Sequence, residues 1–379
     1  MICRKPPMGW NSWNTFASNI DENLIKETAD AMVETGLLAA GYEYLVIDDC
    51  WAERERDKNG RMVPDPAKFP HGMKAVSDYV HSRGLKFGMY SCSGHMTCAG
   101  FPGSFDYEFI DAQTFAEWGV DYLKYDYCFR PMNQPGHLLY KRMGLALANC
   151  GRDICFSACS WGADQTNEWI KTTGAHLWRS TGDINDSWKS VHDLTMKQFD
   201  YLSTNGQGCF NDMDMLIVGM HGKGNVAVTG LSDEEYKTHF SIWSMFGSPL
   251  MIGCDVRSMD DATKNILLNK EVIAVDQDEA YRQPFACGNH WDNNEVLVLA
   301  KFLEGGDIAI GIFNLLDNYP CDPFISLDSL GINRATGKAL RITDLWTGED
   351  LGVYSGVFRP APTPAHGCRL YRAKLVDAK

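Results

Sequence analysis

VDYLKYDYC, residues 120–128, has the composition of a buried β-strand and two charges that such a strand should not carry. Side chains alternate across a strand, so Leu123 and Tyr125 take one face while Tyr122, Lys124 and Asp126 take the other. A lysine and an aspartate on an interior face are costly unless they meet partners there. The neighbouring sequence has to supply a reason for them.

Seven further stretches read as strands: 8–13 (MGWNSW), 42–49 (YEYLVIDD), 85–91 (LKFGMYS), 153–159 (DICFSAC), 175–181 (AHLWRST), 208–214 (GCFNDMD) and 248–254 (SPLMIGC). Helical patterns lie between them. DENLIKETADAMVETGLLAAG starts at Asp21, spaces Leu24, Ala29, Met32 and Leu37 near one face, and stops at Gly41. HGMKAVSDYVHSRG and DAQTFAEWG likewise close on glycine before the next strand. Eight strand–helix units over about 280 residues predict an α/β fold, a (β/α)8 TIM barrel spanning residues 1–285. The alternative is a doubly wound open sheet, which is disfavoured because no G-x-G-x-x-G follows the first strand. From 286 to 379 the helical period is missing. NEVLVLAKFL and IAIGIFNLL flank a glycine turn, and LRITDLWTGEDLG and GCRLYRAKL follow, which predicts a small antiparallel β domain.

The chain has 379 residues, 45% of them hydrophobic, and a net charge of −14 from 35 basic and 49 acidic side chains. That balance argues against a nucleic-acid partner, whose phosphates require a basic face. No apolar run approaches the roughly 20 residues of a membrane helix. The N-terminal MICRKPPMGWNSW has no apolar core of a secretory signal, so the expected location is cytoplasmic. Thirteen cysteines without C-x-x-C pairs suggest mostly buried thiols rather than a zinc site. The sequence is compatible with self-association into a homo-oligomer.

The active site of a barrel lies at the C-terminal ends of its strands. Several predicted strands end in carboxylates: Asp48 and Asp49, Asp126, Asp183 just past AHLWRST, and Asp212 with Asp214. One such aspartate is usually a helix cap or a loop hydrogen-bonder. Many on one rim raise each other's pKa at a cost in stability, and active sites are where that cost is tolerated. With Lys124, Arg179 and abundant aromatics, and without a His pair, a G-x-S-x-G or a phosphate loop, the set describes a glycoside hydrolase.

These motifs resemble glycoside hydrolase family 27, the α-galactosidases and α-N-acetylgalactosaminidases. The matching segments are MGWNSWN, GYEYLVIDDCW, FPHGMKAVSDYVHSRGLKFG, TCAGFPGSF, IDAQTFAEWGVDYLKYDYC, LWRSTGDINDSW, NDMDM and VIAVDQD, nearly the whole chain. The resemblance implies a β-sandwich behind the barrel, a small-molecule or glycan substrate with a terminal α-galactosyl-type residue, and no metal or other cofactor. It implies Asp126 as nucleophile and Asp183 as acid/base, about 5–5.5 Å apart as retention requires, with Asp183 held protonated by a raised pKa. It further implies Asp48 and Asp49 gripping O6 and the axial O4, and Lys124 donating to ring hydroxyls. Trp10 would be a pocket wall and Tyr90 a phenol beside the nucleophile. Arg179, Asp214 and Met215 would complete the lining, and Cys98 and Cys128 would form a disulfide beside the sugar.

The chain departs from the family in two places. Cys50 faces Ser18 where the family has a second cysteine, and YSCSG puts Cys92 where an aspartate is usual. In the loop CSWGA, Ser160 and Ala163 match the small pair that opens the pocket for an N-acetyl group in animal galactosaminidases. The expected activity is release of terminal α-D-galactose, with α-N-acetylgalactosaminidase as the alternative. A β-L-arabinopyranosidase is disfavoured by the intact Asp48–Asp49 pair, and a non-catalytic carbohydrate-binding protein by the presence of both Asp126 and Asp183. A metal-dependent barrel hydrolase would lose activity with chelator.

Overall fold

The computed structural model describes residues 2–288 and 295–378. Eight parallel strands form one sheet: β1 (Met8–Asn11), β2 (Tyr44–Val46), β3 (Lys86–Cys92), β4 (Tyr122–Asp126), β5 (Cys155–Cys159), β6 (Leu177–Arg179), β7 (Phe210–Asp212) and β8 (Leu250–Ile252). Their order, β7-β6-β5-β4-β3-β2-β1-β8, is that of a (β/α)8 barrel. Closure falls just past β7. Leu216 N–H donates to Met251 O at 2.7 Å, and Gly253 N–H donates to Leu216 O at 2.9 Å.

The alternation of β4 is visible in what each side chain touches. Tyr122 packs inside the barrel with Tyr44, Val46, Leu177, Phe210 and Met251, whereas Leu123 and Tyr125 join the larger core under the helices. Gly9 lets β1 and β2 approach closely, because a Cβ there would stand 2.2 Å from Tyr44 O.

The helices follow their capping signals. Asp21 caps Glu22–Glu34 by accepting from Leu24 N–H, a contact that stabilises such a helix by about 1 kcal/mol. The expected single helix running to Gly41 is broken instead. Gly36 at φ 87° ends the first piece, and Leu37–Ala40 forms a separate turn. Among the described residues no helix is long and apolar enough to cross a membrane.

The second sheet starts with β9 (Phe285–Ala286) and continues with β10 (Val296–Phe302), β11 (Ile308–Asn314), β13 (Lys338–Asp344), β14 (Asp350–Tyr354) and β16 (Cys368–Asp377). β12 (Ile325–Ser326) and β15 (Val357–Phe358) pair separately. Met1, Lys379 and Asn294, the last being the expected start of β10, lie outside the described residues. The sheet is antiparallel and two-faced. Val298, Ala300, Ile310 and Ile312 build a core of its own, while Leu297, Leu299, Ala309 and Phe313 pack into the barrel's core. The result is a barrel followed by a β-sandwich.

Nine cysteines are buried free thiols. Cys98 and Cys128 are disulfide-bonded, with Cα atoms 5.2 Å apart. A second disulfide, Cys3–Cys155, joins residues 152 positions apart and ties the N-terminal segment to β5.

Candidate active site

A cavity of about 160 Å3 opens at the C-terminal ends of the strands. Ten of the sequence-selected residues line it: Asp48, Asp49, Tyr90, Cys98, Lys124, Asp126, Arg179, Asp183, Asp214 and Met215. Lys124 and Asp126 arrive on the inner face of β4, which answers the question raised by VDYLKYDYC.

Each charge has a partner. Lys124 Nζ donates to Asp48 Oδ2 at 2.8 Å, and Asn11 Nδ2 donates to the same oxygen at 2.7 Å. Burial opposes the Lys124 charge, but Asp48 and Asp126 outweigh it and hold the ammonium well above its ordinary pKa. Asp49 accepts from Cys50 N–H at 2.7 Å and from Ala99 N–H at 3.1 Å. Asp126 is 6% exposed. It accepts from the Tyr90 hydroxyl at 2.8 Å and from Tyr127 N–H at 3.1 Å, and Cys98 Sγ lies 3.5 Å from it. Burial pushes Asp126 up to about 6, with Asp48 and Asp183 adding to the shift and Lys124 and Tyr90 opposing it.

Across the cavity Arg179, 4% exposed, holds two carboxylates. Its Nη1 lies 2.9 Å from Asp214 Oδ1, and its Nη2 lies 3.0 Å from Asp183 Oδ1. Asp214 is further fixed by Ile184 N–H at 2.7 Å, and its backbone sits at φ 83°, a strained conformation for a residue with a side chain. Asp183 keeps this bond while its side chain stays 76% exposed at the cavity.

The pKa of Asp183 is lowered, not raised as the resemblance implies. Desolvation works upward, but Arg179, Lys124 and the Arg179 hydrogen bond overcome it and hold the carboxyl below the usual value. The free pocket therefore keeps its first proton on Asp126, and the form with Asp183 protonated and Asp126 ionised is the minor arrangement of one shared proton. The pH dependence follows from that proton count. kcat/KM reports the free enzyme, so it should stay level below about pH 6 while the pair holds one proton. Above about pH 6, as Asp126 loses that proton, kcat/KM should fall tenfold per pH unit. Initial rates at low substrate across pH 4–8 check this, and a profile rising through pH 6–7 would contradict it.

Four residues assigned to the site, and the rim carboxylate Asp212, are absent from the cavity lining. Trp10 is 0% exposed and sits in the core outside the barrel, its Nε1 donating to Cys254 O at 2.8 Å. β1 ends at Asn11 and the chain turns into the short helix Trp13–Phe16, so Trp13 is the indole that reaches the pocket. Cys128 stands behind Cys98 in their disulfide. Ser160 is fully buried and bonded to the Thr166 hydroxyl at 2.8 Å, and Ala163 packs on the barrel's core. Trp161, at φ 55°, packs on the same core but also lines the cavity, with Cys159. Sequence reasoning also missed Asn14, which contributes to the lining from the turn after β1. The two tryptophans could have been found by counting alternation from Cys159 and by ending β1 before Ser12.

Comparisons with known proteins agree with this fold. Residues 5–278 match the family model described as Alpha galactosidase A, and residues 293–373 match the Alpha galactosidase C-terminal beta sandwich domain. The chain is 44% identical to the α-galactosidase of Cyamopsis tetragonoloba over 367 residues, 97% of this chain and 85% of that one. The crystal structure of α-galactosidase I from Mortierella vinacea superposes with a TM-score of 0.91 at 33% identity, covering 99% of this chain and 98% of that one. The α-galactosidase of Saccharomyces cerevisiae, solved with raffinose, gives 0.89 at 30% identity, covering 99% and 98%. A barrel rim of this composition, the β-sandwich behind it and matches over nearly the whole chain make one assignment: the chain belongs to the α-galactosidase (melibiase) family, glycoside hydrolase family 27.

Proposed function

We infer that the protein is a retaining α-galactosidase that releases terminal α-D-galactose by double displacement. The observation that carries this is the pairing within one cavity of a buried carboxylate, Asp126, with an exposed one, Asp183. Asp126 attacks C1 of the galactosyl unit as Asp183 gives its proton to the departing glycosidic oxygen. The C1–O bond breaks, and a galactosyl ester forms on Asp126. Asp183, now ionised, takes a proton from water, and that water attacks C1, regenerating the Asp126 carboxylate and releasing α-galactose. Tyr90, donating to Asp126 at 2.8 Å, orients the attacking carboxylate.

Asp48, Asp49 and Lys124 offer acceptors and a donor for the hydroxyls of the sugar, with Asp48 held rigidly by Lys124 and Asn11. The retained Asp48–Asp49 pair suits a sugar that keeps its C6 hydroxyl rather than an arabinopyranose. For the 2-substituent, the indole of Trp161 at the cavity wall supports galactose over N-acetylgalactosamine, because Ser160 and Ala163 open no space toward the ligand. Hydrolysis of 4-nitrophenyl α-galactoside and α-N-acetylgalactosaminide by wild type and Trp161→Ala tests this reading. The wild type should strongly prefer the galactoside. Trp161→Ala should shift the kcat/KM ratio toward the acetamido sugar by roughly 10–100-fold, about 1–3 kcal/mol of discrimination. A ratio that the substitution leaves unchanged would sink the role given to Trp161.

A further inference from the structure

Two walls of the cavity come from separate chain segments. Trp13 and Asn14 follow β1, and Asp48 and Asp49 follow β2. The first segment runs through the short helix Trp13–Phe16 and turns at Ala17 (φ 46°) into Ser18. The second passes from Asp49 directly into Cys50, also at positive φ (71°).

Lys68 reaches both segments from a third. Its Nζ donates to Ser18 O at 2.9 Å and to Cys50 O at 2.7 Å. Its own backbone is fixed on both sides, since Lys68 N–H donates to Asp65 O at 3.1 Å and Lys68 O accepts from Glu22 N–H at 2.9 Å. Charge-assisted bonds of this kind are about twice as strong as neutral ones. Cys50 remains a buried free thiol, so no disulfide joins it to the first segment. The link also reaches the sugar-facing carboxylate, because Cys50 N–H donates to Asp49 Oδ1 at 2.7 Å. Lys68 thus holds the carbonyl, and Asp49 the N–H, of one residue, Cys50.

We propose that Lys68 is a positioning residue, a non-covalent strut that sets the spacing between the Trp13 and Asp49 walls and thereby the affinity for the galactosyl unit. The proposal rests on the α-galactosidase reading. Lys68 Nζ bonds the segments that carry Trp13 and Asp49 and neither Asp126 nor Asp183, so its loss weakens binding of substrate and product alike and leaves bond cleavage nearly untouched.

The test measures kcat, KM, the inhibition constant of free galactose and the thermal midpoint for wild type, Lys68→Met, Lys68→Gln and Lys68→Arg. Lys74→Met, in an exposed pair with Asp78, is the control. Lys68→Met should raise KM and the galactose inhibition constant together by about tenfold, with kcat within twofold of wild type. Lys68→Arg, which keeps the charge and two donors, should restore both to within about threefold. Lys68→Gln should fall between, and it supplies the reading if the methionine variant does not fold. A lowered thermal midpoint with an unchanged galactose constant would reduce Lys68 to a structural contact and overturn the proposal. A fall in kcat alone would also overturn it. A wild type that neither cleaves α-galactosides nor binds galactose would fail the α-galactosidase reading itself, which separates the two failures.

Discussion

Asp126→Asn should lower kcat on 4-nitrophenyl α-galactoside by at least about 10^4-fold, some 5.5 kcal/mol of lost transition-state stabilisation. The same variant should be more stable than wild type at pH 7. The amide keeps the shape of the side chain and can still accept from the Tyr90 hydroxyl, but it cannot form the ester at C1. The stability effect has the opposite sign to the activity effect, for one physical reason. Burial first, with Asp48 and Asp183 adding, raises the folded-state pKa of Asp126 to about 6, against about 3.9 unfolded. The folded protein thus holds that proton more tightly than the unfolded chain. No penalty exists below pH 3.9, it grows as pH rises through 6, and above that it is constant at about 3 kcal/mol. Replacing the carboxylate removes the penalty. Chemical denaturation of both proteins at pH 7 and pH 4 should show a gain of about 2–3 kcal/mol at the higher pH that shrinks at the lower. A variant inactive through misfolding would show a loss at both.

Asp183→Asn should produce an effect that depends on the leaving group. An alkyl or sugar aglycone needs a proton as its bond to C1 breaks, so kcat/KM on such substrates should fall by about 10^2–10^4, the range for a lost general acid. 4-Nitrophenolate leaves without much help, so kcat/KM on that substrate should fall only about tenfold. Its kcat should drop further, because the same residue serves as the base that activates water in the second step. Asp183 is exposed and paired with Arg179, so the substitution should change stability little. Equal losses in kcat/KM on both classes of substrate would remove Asp183 from the acid/base role.

Much of this was legible in the residues because a strand has an exact period of two. Counting from Leu123 places Lys124 and Asp126 inside the barrel, and eight apolar runs separated by glycine-stopped helices place their ends on one rim. The reading failed where the period stops. MGWNSW looks like one strand, yet β1 ends at Asn11, which buries Trp10 and delivers Trp13. In CSWGA the strand ends at Cys159, yet Trp161 two residues on still reaches the cavity while Ser160 stays buried away from it. The lowered pKa of Asp183 depends on a loop that folds it back on Arg179, and the Cys3–Cys155 link joins residues 152 positions apart. Local pattern carries neither.

In the proposed mechanism Asp126 forms the covalent intermediate and Asp183 serves it. The most direct measurement is the anomeric configuration, by proton NMR, of the galactosyl azide formed from 4-nitrophenyl α-galactoside by two variants. With Asp126→Ala, azide should occupy the vacated space, attack C1 once and give the β-azide. With Asp183→Ala, azide should attack the galactosyl ester on Asp126 and give the α-azide. The same anomer from both variants, or the reverse assignment, would contradict the account.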